Sequence, residues 1–174
     1  MTVSVRPAQT DELVRVGELT LAAYVADDVI VGDDGYAAHL RDRAAARGLS
    51  DRVLFLGQRG DVPALMQAVD AVVHPSVDPE PFGRTLVEAM LAGVPVIATD
   101  AGASAEILDG GAVGTLVPPR RPDRLAAALA ELFDAPDAFV ARTRLARERA
   151  LALYGAAGMQ RALADLILRV AARA

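Results

Sequence analysis

Two glutamates with seven residues between them, Glu80 and Glu88, stand in the segment of this chain richest in groups that can do chemistry. It reads His74-Pro-Ser-Val-Asp-Pro-Glu80-Pro-Phe-Gly-Arg84-Thr-Leu-Val-Glu88 and continues to Gly93-Val-Pro95. A β-rich run ends at His74, prolines break the chain after it, and Gly83 opens a helical pattern. The first backbone N–H groups of such a helix, near Arg84 to Leu86, have no acceptor within it. With a helix-end dipole of about half a positive charge, they favour an anion. Glu88 lies about one turn further in. A carboxylate there repels a phosphate set directly against it, yet accepts hydrogen bonds from neutral hydroxyls beside it. Two carboxylates flanking an amide-lined anion site describe a pocket for a polyol attached to a diphosphate.

Each of these groups has a plainer role. Two glutamates eight positions apart on a loop and a helix are usually solvated surface. What favours function here is the Pro81-Phe82-Gly83 insert between the strand before it and the Gly-Val-Pro strand entry after it. Arg84 either meets phosphate or points to solvent, and Glu106 either supports its own helix or faces a ligand. His74 reads as a polar residue at a strand end and His39 as a helix-surface residue. Gly110-Gly111-Ala-Val-Gly114 enters a strand, whereas a dinucleotide-binding loop leaves one, so it reads as a turn.

Elements able to position these groups alternate along the chain. β-rich runs are expected at Val3–Arg6, Val29–Val31, Val53–Leu56, Ala71–His74 and Val94–Thr99, with a sixth at Gly114–Val117. Between them lie helical patterns. One contains Leu13, Val16 and Leu19; a second is capped by Asp33 or Asp34 and ends at Gly48; a third starts at Asp61 with Pro63 in its first turn. Arg84–Ala92 is bounded by Gly83 and Gly93. Beyond the last strand the pattern is purely helical. Pro122 starts a helix with a Leu125, Ala128, Leu129, Leu132, Phe133 stripe, and a final helix carries Met159, Leu163, Leu166, Ile167 and Val170. Gly155-Ala-Ala-Gly158 is the expected hinge between the terminal helices. The fold class that follows is α/β: a single Rossmann-like domain, its mostly parallel sheet of five or six strands covered by helices on both faces.

Composition excludes several chemistries. A formal charge of −5 argues against a nucleic-acid partner. The absence of cysteine removes disulfides, thiolate nucleophiles and thiolate metal sites. All the basic residues are arginine, which rules out a Walker-type phosphate loop, a Schiff base and a lysine general base. The N-terminus has no apolar signal core, and no apolar run approaches the roughly 20 residues of a transmembrane helix. A soluble, cytoplasmic protein is the expectation.

Glu80, seven residues and Glu88, with Phe82-Gly83 between, resemble the E-x7-E motif of the retaining glycosyltransferases of GT-B fold (group 1, GT4-like). Asp51-Arg-Val-Leu-Phe-Leu-Gly57, Asp61-Val-Pro-Ala-Leu65, Ala68-Val-Asp70 and Ala101-Gly-Ala-Ser-Ala-Glu106 are similar to flanking segments of that family, from about Val29 to Tyr154. The resemblance implies a donor-binding domain for a UDP-, GDP- or ADP-linked sugar. Glu80 would hold donor-sugar hydroxyls as the catalytic carboxylate, and Glu88 the ribose. The amides at Gly83, Arg84, Thr85 and Leu86 would hold the pyrophosphate beside Phe82, and Gly57, Gln58 and Arg59 would line the nucleobase pocket. It implies no cofactor and no divalent metal.

The family pattern and this chain part company near the N-terminus. The donor half of such enzymes opens with a strand, Gly-Arg and a following Lys; here Arg6 is available, but the Lys position falls on Asp11. Residues 1–26, with Val5-Arg6-Pro7-Ala8 and Asp11-Glu-Leu13, instead resemble the start of a GNAT acetyltransferase, without that family's acetyl-CoA loop. The expected organisation is a divergent strand–helix unit over 1–28, the donor-binding domain over 29–154 and a terminal helix over 155–174. An acceptor domain is missing from this pattern, so the chain is expected to need a partner domain or to form a homodimer. The rival reading is a non-catalytic nucleotide-sugar-binding or interaction module, with an acetyltransferase third.

Overall fold

A computed structural model of the chain describes residues 34–56 and 60–172. The runs at Val3–Arg6 and Val29–Val31 lie outside these residues. Three strands, β1 (Val72–His74), β2 (Val96–Thr99) and β3 (Thr115–Val117), form one parallel sheet in the order β1-β2-β3. Five or six strands were expected, and the described residues hold three. Val53–Leu56 is not among them. Its side chains do alternate, with Val53 and Phe55 packed on Ala44 and Leu49 while Leu54 and Leu56 are exposed. One-sided packing produces that alternation whether or not a strand lies alongside, so periodicity alone does not decide between the two.

Helices alternate with the strands as expected. They are α1 (Asp34–Ala46), α2 (Val62–Gln67), α3 (Arg84–Ala92), α4 (Ser104–Ile107), α5 (Pro122–Asp134), α6 (Asp137–Tyr154) and α7 (Ala156–Ala171). Turn chemistry sets their ends. Gly93 takes the left-handed conformation (φ 74°) just past α3, and the Val94 amide donates back to the Ala89 carbonyl at 3.3 Å. Without a Cβ this reversal is unstrained, and Pro95 then leads directly into β2. Pro63 and Pro122 sit in the first turns of α2 and α5, where the missing N–H has no helical acceptor to lose. Asp61 precedes α2 without a side-chain cap bond. In the first turn of α5 the Asp123 carboxyl is held down to about 2 by its hydrogen bonds from Arg121.

β2 is buried along its whole length because both faces of the sheet are covered. Val96 and Ala98 face a cluster with Leu86, Val87, Met90, Ile107 and Leu108, closed by Ala146 and Ala150 of α6. Ile97 faces the other way, onto Val117, Leu125, Leu129, Leu132 and Phe139. Small alanines on α6 let it lie close against α3. Phe133 falls outside its expected stripe: it lies about 80° around the helix from Leu125 and is half exposed. The α7 stripe of Met159, Leu163, Leu166, Ile167 and Val170 is exposed throughout. No helix among the described residues is long and apolar enough to cross a membrane.

Arg149 on α6 fastens the short α4. Its Nε donates to the Ile107 carbonyl at 3.2 Å, an Nη to the Glu106 carbonyl at 3.0 Å, and the other Nη lies 3.4 Å from an Asp109 carboxylate oxygen. A cation at a helix C-terminus satisfies carbonyls that the helix itself cannot. Arg149→Ala is expected to cost about 1 kcal/mol, since the site is part-exposed, and to lower the melting temperature by roughly 2–4 °C. Thermal denaturation of the two proteins side by side checks this. An unchanged Tm would mean that water replaces the guanidinium without loss.

Candidate functional site

The carboxyl ends of β1 and β2 open onto two loops, Pro75–Gly83 and Asp100–Ala103, and the first of them carries Glu80, Phe82 and Gly83 and leads into α3. Glu80 is one-quarter exposed. Ser76 Oγ donates to its Oε1 at 2.5 Å, and His74 Nε2 lies 3.2 Å from its Oε2. His74, at the end of β1, is only 1% exposed, so it is buried against the carboxylate rather than displayed at a strand end. Thr99 Oγ1, at the end of β2, bonds to the Ser76 carbonyl and lies 3.4 Å from that of His74. The second loop meets Glu80 from the other side. The Ala103 amide donates to the Glu80 carbonyl at 3.1 Å, and Gly102 (φ 60°) lies so close that a Cβ there would stand 2.2 Å from that oxygen.

α3 positions the second carboxylate. Arg84 Nε lies 3.0 Å from Glu88 Oε1 in an ion pair one helical turn apart, with Arg84 largely exposed and Glu88 half so. Two of the four N–H groups singled out at the helix start are used within the chain: Arg84 donates to the Phe82 carbonyl at 3.1 Å and Leu86 to that of Gly83 at 3.0 Å. The bonds described include none from the Gly83 or Thr85 amide. The Leu86 side chain is fully buried and anchors the helix, while Thr85 is part-exposed. Gly83 is buried against it, where a Cβ would come within 2.9 Å of Leu86 Cδ1. Phe82 stands half exposed with its ring 5.6 Å from that of Tyr154 in an edge-on contact. Burial pushes the Tyr154 phenol above its ordinary pKa; nearby Glu106 adds to that and Arg149 opposes it.

Glu80 and Glu88 thus flank the opening turn of α3, at the carboxyl end of a parallel sheet, where open α/β folds bind ligands. Gly57, Gln58 and Arg59 lie outside the described residues. His39 and the Glu106 side chain are exposed, and Gly110–Gly111 form part of a 3-10 turn ahead of β3. The contribution of His74, Ser76, Thr99 and Gly102 was not anticipated from sequence. The available signals were a serine four residues before Glu80 and a glycine in a loop following a strand.

The model of the family described as glycosyl transferases group 1 matches residues 20–149. The chain belongs to that family. Among curated relatives of this group 1 chain, a phosphatidyl-myo-inositol mannosyltransferase of Mycobacterium leprae is 40% identical over 120 residues, covering 68% of the chain and 29% of the relative. A 2-deoxystreptamine glucosyltransferase of Streptomyces kanamyceticus is 34% identical over 135 residues, covering 76% and 35%. The group 1 chain therefore spans about a third of the length of these relatives. Among solved structures, Anabaena HepE in complex with UDP superposes with a TM-score of 0.77 at 28% identity, over 96% of this chain and 47% of HepE. The same protein in complex with UDP-glucose gives 0.76 at 28% identity, over 95% and 46%. The α/β fold of this group 1 chain is similar to that of GT-B glycosyltransferases.

Proposed function

We propose that this chain is the nucleotide-sugar-binding half of a retaining GT-B glycosyltransferase, its donor domain spanning residues 29–154. The observation that carries this reading is the placement of Glu80 and Glu88 on either side of the α3 N-terminus, with Glu80 already held by Ser76 and His74. In this reading Glu80 accepts hydrogen bonds from donor-sugar hydroxyls and Glu88 from the ribose. The Gly83 and Thr85 amides, aided by the helix dipole, meet the diphosphate. Gly57, Gln58 and Arg59 line the nucleobase. The sugar passes from the diphosphate to an acceptor hydroxyl with its anomeric configuration kept. The departing diphosphate is stabilised where its charge develops, by donors fixed in advance. The acceptor side of the cleft comes from a second unit. One relative, HepE, solved with UDP and with UDP-glucose, supports a nucleoside diphosphate sugar as donor.

Calorimetric titration with UDP, GDP and ADP and their glucose and mannose conjugates tests the reading. One nucleotide is expected to bind, and Glu88→Ala to weaken it by about tenfold or more, as for loss of a hydrogen bond to a charged group. Absence of binding by every member of the panel would reject the donor site. A second reading, a binding module without turnover, is favoured by one observation: the chain has no lysine, and Asp11 stands where the family places one against the diphosphate. Release of free sugar from the bound donor would count against it.

A further inference from the structure

Glu80 is supported from both of its sides, and none of the groups that support it belongs to α3. We propose that His74, Ser76 and Thr99, with the Gly102–Ala103 turn, are positioning residues that fix Glu80, so that sugar and nucleotide are recognised on separate supports. This rests on the reading of Glu80 as the group that meets the donor sugar.

A glutamate on a loop samples many rotamers, and ordering it on ligand binding opposes affinity. Here the ordering is already done. A carboxylate offers about four lone-pair directions. Ser76 Oγ occupies one on Oε1 and His74 Nε2 faces one on Oε2, which leaves the remainder for sugar hydroxyls. Because His74 is 1% exposed, its contact with the carboxylate is little screened by water. The Thr99 hydroxyl ties the Ser76 carbonyl to the end of β2 and lies 3.4 Å from the carbonyl of His74. The Ala103 amide then holds the Glu80 carbonyl, and the bare Cα of Gly102 permits that approach. Glu88, by contrast, rides on α3 with Arg84 as its ion-pair partner. Disturbing the first support therefore reaches the sugar and leaves the nucleotide end in place.

The test compares affinities for UDP, GDP and ADP with those for their glucose and mannose conjugates, in the wild-type chain and in Ser76→Ala, His74→Ala and His74→Gln. The readout is the ratio of conjugate to bare-nucleotide affinity. Ser76→Ala, which removes one hydrogen bond to a charged group, and His74→Ala, which removes a close buried contact with the same carboxylate, are expected to lower that ratio by about tenfold, while nucleotide affinity changes by less than about twofold. His74→Gln, whose amide N–H can stand in for Nε2, is expected to recover most of the ratio. Should His74→Ala fail to fold in a thermal melt, Ser76→Ala decides, since it removes a single hydroxyl. An unchanged ratio in Ser76→Ala overturns the proposal, and so does an equal loss of nucleotide and conjugate affinity. A wild-type ratio of one overturns it as well. Failure of the wild-type chain to bind any bare nucleotide or conjugate rejects the donor site, and the proposal falls with it.

Discussion

Gly102→Ala is expected to destabilise the chain by about 3 kcal/mol and to lower its Tm by roughly 6–12 °C. Two effects combine. A residue with a Cβ is strained at φ 60°, which alone costs about 1 kcal/mol. The larger effect is contact: the new methyl would stand 2.2 Å from the Glu80 oxygen and 2.4 Å from the Glu80 nitrogen, so the two loops must separate and the Ala103–Glu80 bond must stretch. Gly110 provides the control, with φ 63° and nothing within 4 Å of its added Cβ, so Gly110→Ala should show the conformational cost only, about 1 kcal/mol. Equal melting temperatures for the two variants would show that the loops part freely and that steric contact does not decide the outcome.

Leu86→Ala is expected to cost about 2–5 kcal/mol, a large share of the 5–15 kcal/mol that typically separates folded from unfolded domains. Leu86 is fully buried and packs with Met90, Val96, Ala98 and Ile107 between α3 and the sheet. Its end lies directly under Gly83, so the cavity opens beneath the turn that carries the Gly83 and Thr85 amides and Glu88. Stability and nucleotide affinity should therefore fall together, unlike in Ser76→Ala. Urea denaturation with an unchanged slope measures the first and calorimetry the second. A loss below about 1 kcal/mol would show that neighbouring side chains collapse into the space.

What could be read from the sequence was whatever residue type alone determines. Gly83 and Gly93 bracket α3 as expected, because a helix of this kind starts and stops where glycine and proline force it to. Pro122 and Gly48 delimit α5 and α1 in the same way. Val53–Leu56 alternates as a strand does but is not one of the three described strands, because alternation records which side is buried and not whether a strand lies alongside. The α7 stripe was legible as apolar, yet periodicity says nothing of what covers a face. In the site, the paired glutamates were visible by spacing. Their supports were not: His74 and Thr99 meet only because β1 and β2 pair in register, with His74 opposite Ala98. The positive φ of Gly102 likewise arises from a loop whose partner lies twenty-two residues earlier, at Glu80.

The Phe82–Tyr154 ring contact has a practical side. The chain has three tyrosines and no tryptophan, so its ultraviolet emission is that of tyrosine alone. One of those fluorophores lies edge-on to the residue two positions after Glu80. Movement of that loop changes the surroundings of Tyr154 directly, and the unmodified chain therefore carries its own optical reporter beside the candidate pocket, readable without a dye, a label or a substitution.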